Sequence, residues 1–160
     1  MKQRTTLLAV VTLAVLSLFV SCDESKEKTA ANDAIKALRK IEAATQVGVN
    51  FQQYGQLVIE AKAQVNDATA KLPDGELKKE LSASMEAYAD AAQAWNEKIG
   101  GRTTMSADVG IGKVLIPKYS LPTETYSSGL FPHVDIDTAL QVMWGEAKKH
   151  LDKASSLADG

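Results

Sequence analysis

Phe51, Tyr54, Val58, Ala61, Val65, Ala68 and Leu72 follow one another at steps that alternate between three and four residues without a break. That spacing describes one face of an α-helix, and a seam of this length needs other helices to cover it. A second stripe runs through Leu77, Leu81, Met85, Tyr88, Ala92, Trp95 and Ile99. A third joins Ile136, Leu140, Met143, Ala147, Leu151 and Ala154, and a shorter one joins Ile35, Leu38, Ile41 and Thr45. Four amphipathic helices can share one core. The expected fold class is all-α: an antiparallel four-helix bundle with a long loop, holding at most one short helix, before the last helix.

The breaks between stripes carry turn chemistry. One helix from Ala30 to Leu72 would be a rod of about 65 Å, too long for a compact domain of this size. Gly48 suits a helix C-terminus. Asn50 suits the next N-cap, with Gln53 as its reciprocal capping-box partner and Val49 and Tyr54 as the ends of a hydrophobic staple. Pro73-Asp74-Gly75 stops the second helix, and Asp74 is the expected cap of the third. Gly100-Gly101 ends the third, and Asp135 is the expected cap of the last, from about Ile136 to Ala158. The stretch 101–134 holds every proline other than Pro73. Its segment "VGIGKVLIPKY" has enough apolar residues to dock as a short helix ending before Pro117.

The N-terminus has a different character. Lys2 and Arg4 precede Leu7–Val20, a 14-residue uncharged run that stops at Ser21-Cys22, and Cys22 is the chain's only cysteine. A basic start followed by a short apolar run is the pattern of an export signal. Phe19-Val20-Ser21-Cys22 resembles the lipobox of bacterial lipoproteins, with Phe19 standing where that family prefers leucine. The resemblance covers about the first 22 residues and implies cleavage before Cys22, a diacylglycerol on its sulfur, and attachment to a membrane outside the cytoplasm. Two or three acyl chains exceed what stable anchoring requires. Asp23, directly after the cysteine, resembles the inner-membrane retention signal of enteric lipoproteins and favours a periplasmic, inner-membrane address. The chain therefore divides into a signal peptide at 1–21, an acylated cysteine with a polar, solvated tether at 22–29, and a helical domain at 30–160.

Charge excludes one class of partner. Without Lys2 and Arg4 the chain has 16 basic against 20 acidic residues, which does not steer it toward nucleic acid. No internal disulfide is possible with one cysteine.

Motifs that suggest catalysis are incomplete. "DVGIGKV" places glycines before a lysine, but a phosphate loop needs glycine at Ala107 and a hydroxyl at Val114. His133, Asp135 and Asp137 would point three metal ligands one way on an extended segment. At a helix start, the reading that weighs more, the two aspartates serve instead as cap and first-turn charge. Glu146 and His150 lie four apart and suit an exposed helical pair. No Glu-x-x-His occurs, so di-iron chemistry has no ligands here, and no cofactor is expected.

What remains is a set of aromatic and amide side chains, Phe51, Gln52, Tyr54, Tyr88, Trp95 and Trp144. Most of these suit a core, and a ligand groove beneath the 101–134 loop is the minority reading. The expected role is a membrane-anchored, non-catalytic binding or scaffolding domain with a protein or small-molecule partner. The alternative is an enzyme or carrier of a small molecule, metal or cofactor, with its site under that loop.

Overall fold

The turn at Gly48 is built as its residues require. The computed structural model describes residues 3–125 and 131–160, with side chains from residue 25 onward. The Cys22 sulfur, the signal-segment side chains and Tyr126 lie outside that set. Helix α1 spans Gln3–Val47 and α2 spans Phe51–Lys71. Gly48 adopts a φ of 97°, a left-handed conformation that glycine takes without steric cost. Its N–H donates to the Ala44 carbonyl at 3.1 Å. Asn50 Oδ1 then accepts from Gln53 N at 2.9 Å while Gln53 Oε1 accepts from Asn50 N at 3.5 Å, closing the capping box.

Helix α3 spans Glu76–Ile99, and the last helix, α5, spans Ile136–Asp159. Helix α1 packs on α2, α2 on α3, α3 on α5 and α5 back on α1. Lys98 pairs with Asp137, and Lys153 pairs with Glu76, so the C-terminal end of α3 meets the N-terminal end of α5 and the reverse. Every member of the α5 stripe is buried, as are Leu38 and Ile41 of α1 and all of the α2 stripe except the half-buried Phe51. Ile99 departs from its stripe and is 60% exposed, because it lies in the last turn of α3, beyond the reach of α2. Asp74 does not cap α3. Gly75 holds that position, and Asp74 pairs with Lys78 one turn on, at 3.0 Å.

The segment expected as a polar tether is helical. Helix α1 passes through Asp23–Lys28 without interruption, with Ser25, Lys26 and Lys28 exposed and the first buried side chain at Ala30. Glutamate and lysine are good helix formers, so a run too polar to be buried still extends the helix it adjoins.

The 101–134 region holds the one short helix that the expected long loop allowed for, and adds a small sheet that it did not. It contains β1 (Thr104–Ser106), the helix α4 (Gly112–Tyr119), β2 (Glu124–Thr125) and β3 (Pro132–Asp135). The strands form an antiparallel sheet in the order β1-β3-β2, with Met105 opposite Val134 and Glu124 opposite His133. Met105, Val134, Leu115, Ile116 and Leu121 are buried and continue the core of the helices. Helix α4 also runs past Pro117 rather than stopping before it. The proline falls in its second turn, and the end is closed by Leu121 N donating to Ile116 O at 3.0 Å, with Ser120 left-handed.

Helix α4 meets β1 at a glycine. A Cβ on Gly112 would stand 2.2 Å from the Ser106 carbonyl oxygen and 3.1 Å from Met105 Cβ. Gly112→Ala is expected to destabilise the fold by about 1–3 kcal/mol through overpacking. Gly145→Ala, in open space on α5, should instead stabilise it by about 0.5–1 kcal/mol. Urea unfolding of the two variants against the parent checks both signs.

Candidate functional site

Four of the candidate aromatics come together at one joint inside the bundle. Tyr54 is fully buried, its ring 5.3 Å from Trp95 and 5.8 Å from Trp144, while Phe51 meets Trp95 edge-on at 6.0 Å. The Tyr54 hydroxyl donates to the Tyr88 carbonyl at 2.8 Å and accepts from Trp144 Nε1 at 3.0 Å. Helices α2, α3 and α5 are thus joined through one oxygen, and burial raises the phenol's pKa. Tyr88 is also fully buried, and its hydroxyl has no hydrogen-bond partner among the described residues. Gln52 is exposed. None of these six side chains lines either of the two clefts described below.

His133, Asp135 and Asp137 are separated by the junction of strand and helix. His133 lies in β3, between Ser106 of β1 and Glu124 of β2. Asp135 caps α5, its Oδ1 accepting from Thr138 N at 2.9 Å. Asp137 takes Lys98 Nζ at 2.5 and 2.6 Å. Among the described residues no three His, Cys, Asp or Glu side chains form a group that could hold a metal.

The first cleft opens where the sheet meets the end of α3 and has a volume of about 400 Å³. Glu97, Arg102, Ser106 and His133 supply its polar wall, and Met105 and Phe131 are among its apolar lining. Arg102 is paired with Glu97, and the Arg102 N–H also donates to the Glu97 carbonyl at 3.1 Å. Phe131 is 61% exposed and left-handed at φ 72°, and Val109 beside the cleft is 66% exposed. A left-handed backbone is unusual for a bulky residue. An apolar concavity with a few convergent polar groups is the usual makeup of a small-ligand site.

The second cleft, about 340 Å³, lies between α3 and α5 beside the end of α4 and is strongly charged. The sequence reading missed two buried carboxylates, Glu80 and Asp90, which bond residues of its lining. Asp90 accepts from Lys118 Nζ at 2.7 Å and from the Tyr119 hydroxyl at 2.8 Å. His150 stands between Glu80 at 2.5 Å and Glu146 at 3.2 Å, so the expected Glu146–His150 pair is present with a third member. Lys153 bonds Glu80 at 2.6 Å. Burial alone would raise the Glu80 pKa, but hydrogen bonds from Lys153 and His150, with their charges, hold it below the ordinary glutamate value. These charges satisfy one another and pin α5 and α4 to α3. Their signal in sequence was the four-residue spacing of Glu76 with Glu80 and of Glu86 with Asp90 along one flank of α3.

Compared with known proteins, the chain matches no family model, no curated sequence and no solved structure.

Tyr54→Phe should cost about 1–3 kcal/mol, because Trp144 Nε1 loses its acceptor. Tyr88→Phe, which removes a hydroxyl that bonds to nothing described, should leave the urea midpoint unchanged or raise it. Acid has a definite sign. With its folded pKa depressed, Glu80 contributes stability in full above the ordinary glutamate value of 4.5, and that contribution is lost as pH falls through the lower folded value. Unfolding free energy measured as pH falls from about 4.5 toward that lower value should decline with acidification, less steeply in Glu80→Gln.

Proposed function

We propose that this chain is a membrane-anchored, extracytoplasmic lipoprotein whose helical body, an antiparallel four-helix bundle, acts in binding or scaffolding rather than catalysis. The observation that carries the reading is the apolar run that ends at the single Cys22 behind a basic start. The resemblance to a lipobox makes that cysteine the acylation site, with 1–21 removed, 22–29 as connector and 30–160 as the working domain. The address that follows is the periplasmic side of a bacterial membrane, with Asp23 favouring the inner one. Among the described residues no helix is long and apolar enough to cross a membrane, and attachment through acyl chains needs none.

A non-catalytic role is supported by how the polar groups are used. The buried carboxylates Glu80 and Asp90 are each committed to lysine and to a second donor, so neither stands free as a base beside a nucleophile. The alternative reading, an enzyme or carrier of a small molecule, metal or cofactor with its site in the 101–134 region, is favoured in its small-molecule form by the cleft at Arg102, Phe131 and His133. Native mass spectrometry of protein purified from its own membranes separates the two: a stoichiometric co-purifying small molecule selects the carrier.

The anchor has its own test. Cys22→Ser should abolish acylation, block the cleavage before residue 22 and move the protein out of the acylated membrane fraction. Mass spectrometry of the mature N-terminus reads the outcome. An unmodified thiol at position 22 in native material would sink the lipoprotein assignment.

A further inference from the structure

We propose that the end of the bundle at the α2–α3 turn is a lipid-facing surface, seated on the leaflet that holds acylated Cys22; this rests on the lipoprotein reading above. A groove of about 300 Å³ opens at that end, between α1, the turn and the last residues of α5. Ala31, Leu72, Pro73, Leu77 and Leu157 supply its apolar lining, and Leu157 is 42% exposed although it lies in the last turns of a helix whose inner face is otherwise covered. Lys28, Glu27 and Glu76 form a rim of both signs. An apolar groove rimmed by both charges suits zwitterionic headgroups above the start of the acyl chains.

The occupant follows from where α1 goes. The helix leaves the packed body at this same end, and its backbone continues unbroken through residue 22. From Lys28 back to Cys22 is six residues, or about 9 Å of helix. A headgroup layer is roughly 5–8 Å deep on each side of the hydrocarbon. A rigid connector of that length sets the groove at the leaflet surface, and tilting of α1 brings it closer. The other end of α1, at Val47, stands about 38 Å from Cys22. The cleft lined by Arg102, Phe131 and His133 lies where α3 ends and α5 begins, at the end of the bundle away from the groove.

The test uses the mature, acylated chain in phosphatidylcholine vesicles that contain a headgroup-nitroxide lipid. A cysteine is introduced as Leu157→Cys or, at a second exposed position of the same end, Pro73→Cys, and the control is Val109→Cys at the far end. Acylation converts the Cys22 sulfur to a thioether, so an environment-sensitive maleimide reads only the introduced thiol. Labels at 157 and 73 are expected to be quenched several-fold more than the label at 109, with blue-shifted emission. Equal quenching at all three positions, in protein that is acylated and vesicle-bound, overturns the seating and leaves the anchor intact. Self-quenching at 157 that grows with protein density, without lipid quenching, overturns it in favour of a second copy of this chain in the groove. Maleimide reaction at Cys22 in protein lacking acyl mass overturns the anchor and the seating together.

Discussion

The fold turns on the Tyr54 hydroxyl. A phenol placed in the first turn of α2 reaches the backbone of α3 and the indole of α5 at once, so three helices are held in register by one oxygen in a region with little water to compete. Hydrogen bonds in such surroundings are strong, and leaving one unmade is expensive. The capping box at Asn50 sets where α2 begins, and so where Tyr54 falls. The short turn at Gly48 sets which way α2 returns along α1. Local turn chemistry thus decides the position of a long-range bond.

Around that joint alanine recurs on every long helix of the core. Ala34 of α1, Ala61 and Ala68 of α2, Ala91 and Ala94 of α3, and Ala139, Ala147 and Ala154 of α5 are all fully buried. Small side chains let helix backbones approach closely but bury little apolar area each, and hydrophobic stabilisation scales with that area. The large buried side chains, Tyr54, Tyr88, Leu38, Ile41, Leu81, Met143 and Leu151, therefore carry a disproportionate part of the stability. Polar ties such as Ser84 Oγ to the Ala147 carbonyl at 2.9 Å add specificity to the α3–α5 contact.

The helices were legible in sequence because their information is local and repeated: each stripe restates its period several times, and caps such as Asn50 and Asp135 mark its ends. The sheet was not. Its strands are two to four residues long, too short to show a period of two, and Met105 finds Val134 across almost thirty residues of intervening chain. Strand formation depends on such partners more than on intrinsic preference. The same contrast holds for the candidate site. Of the aromatics at helical spacing, Tyr54 and Tyr88 are buried in the core, while Trp95 and Trp144 lie partly buried against it. The charged cluster around Glu80 joins residues from α3 and α5: the acidic spacing along α3 is visible in sequence, but its pairing with His150 and Lys153 across the bundle is not. The cleft at Arg102 and His133 likewise depends on strand pairing that no local pattern encodes.

The continuity of α1 through Asp23–Lys28 also gives the body an azimuth. In a straight helix each residue turns the chain by about 100°, so adding or removing a single residue in that polar stretch swings the whole bundle about the helix axis while barely altering its height. Four added residues bring it almost back to its starting direction. Which side of the bundle faces a given direction about that axis is therefore written in the count of residues in that stretch.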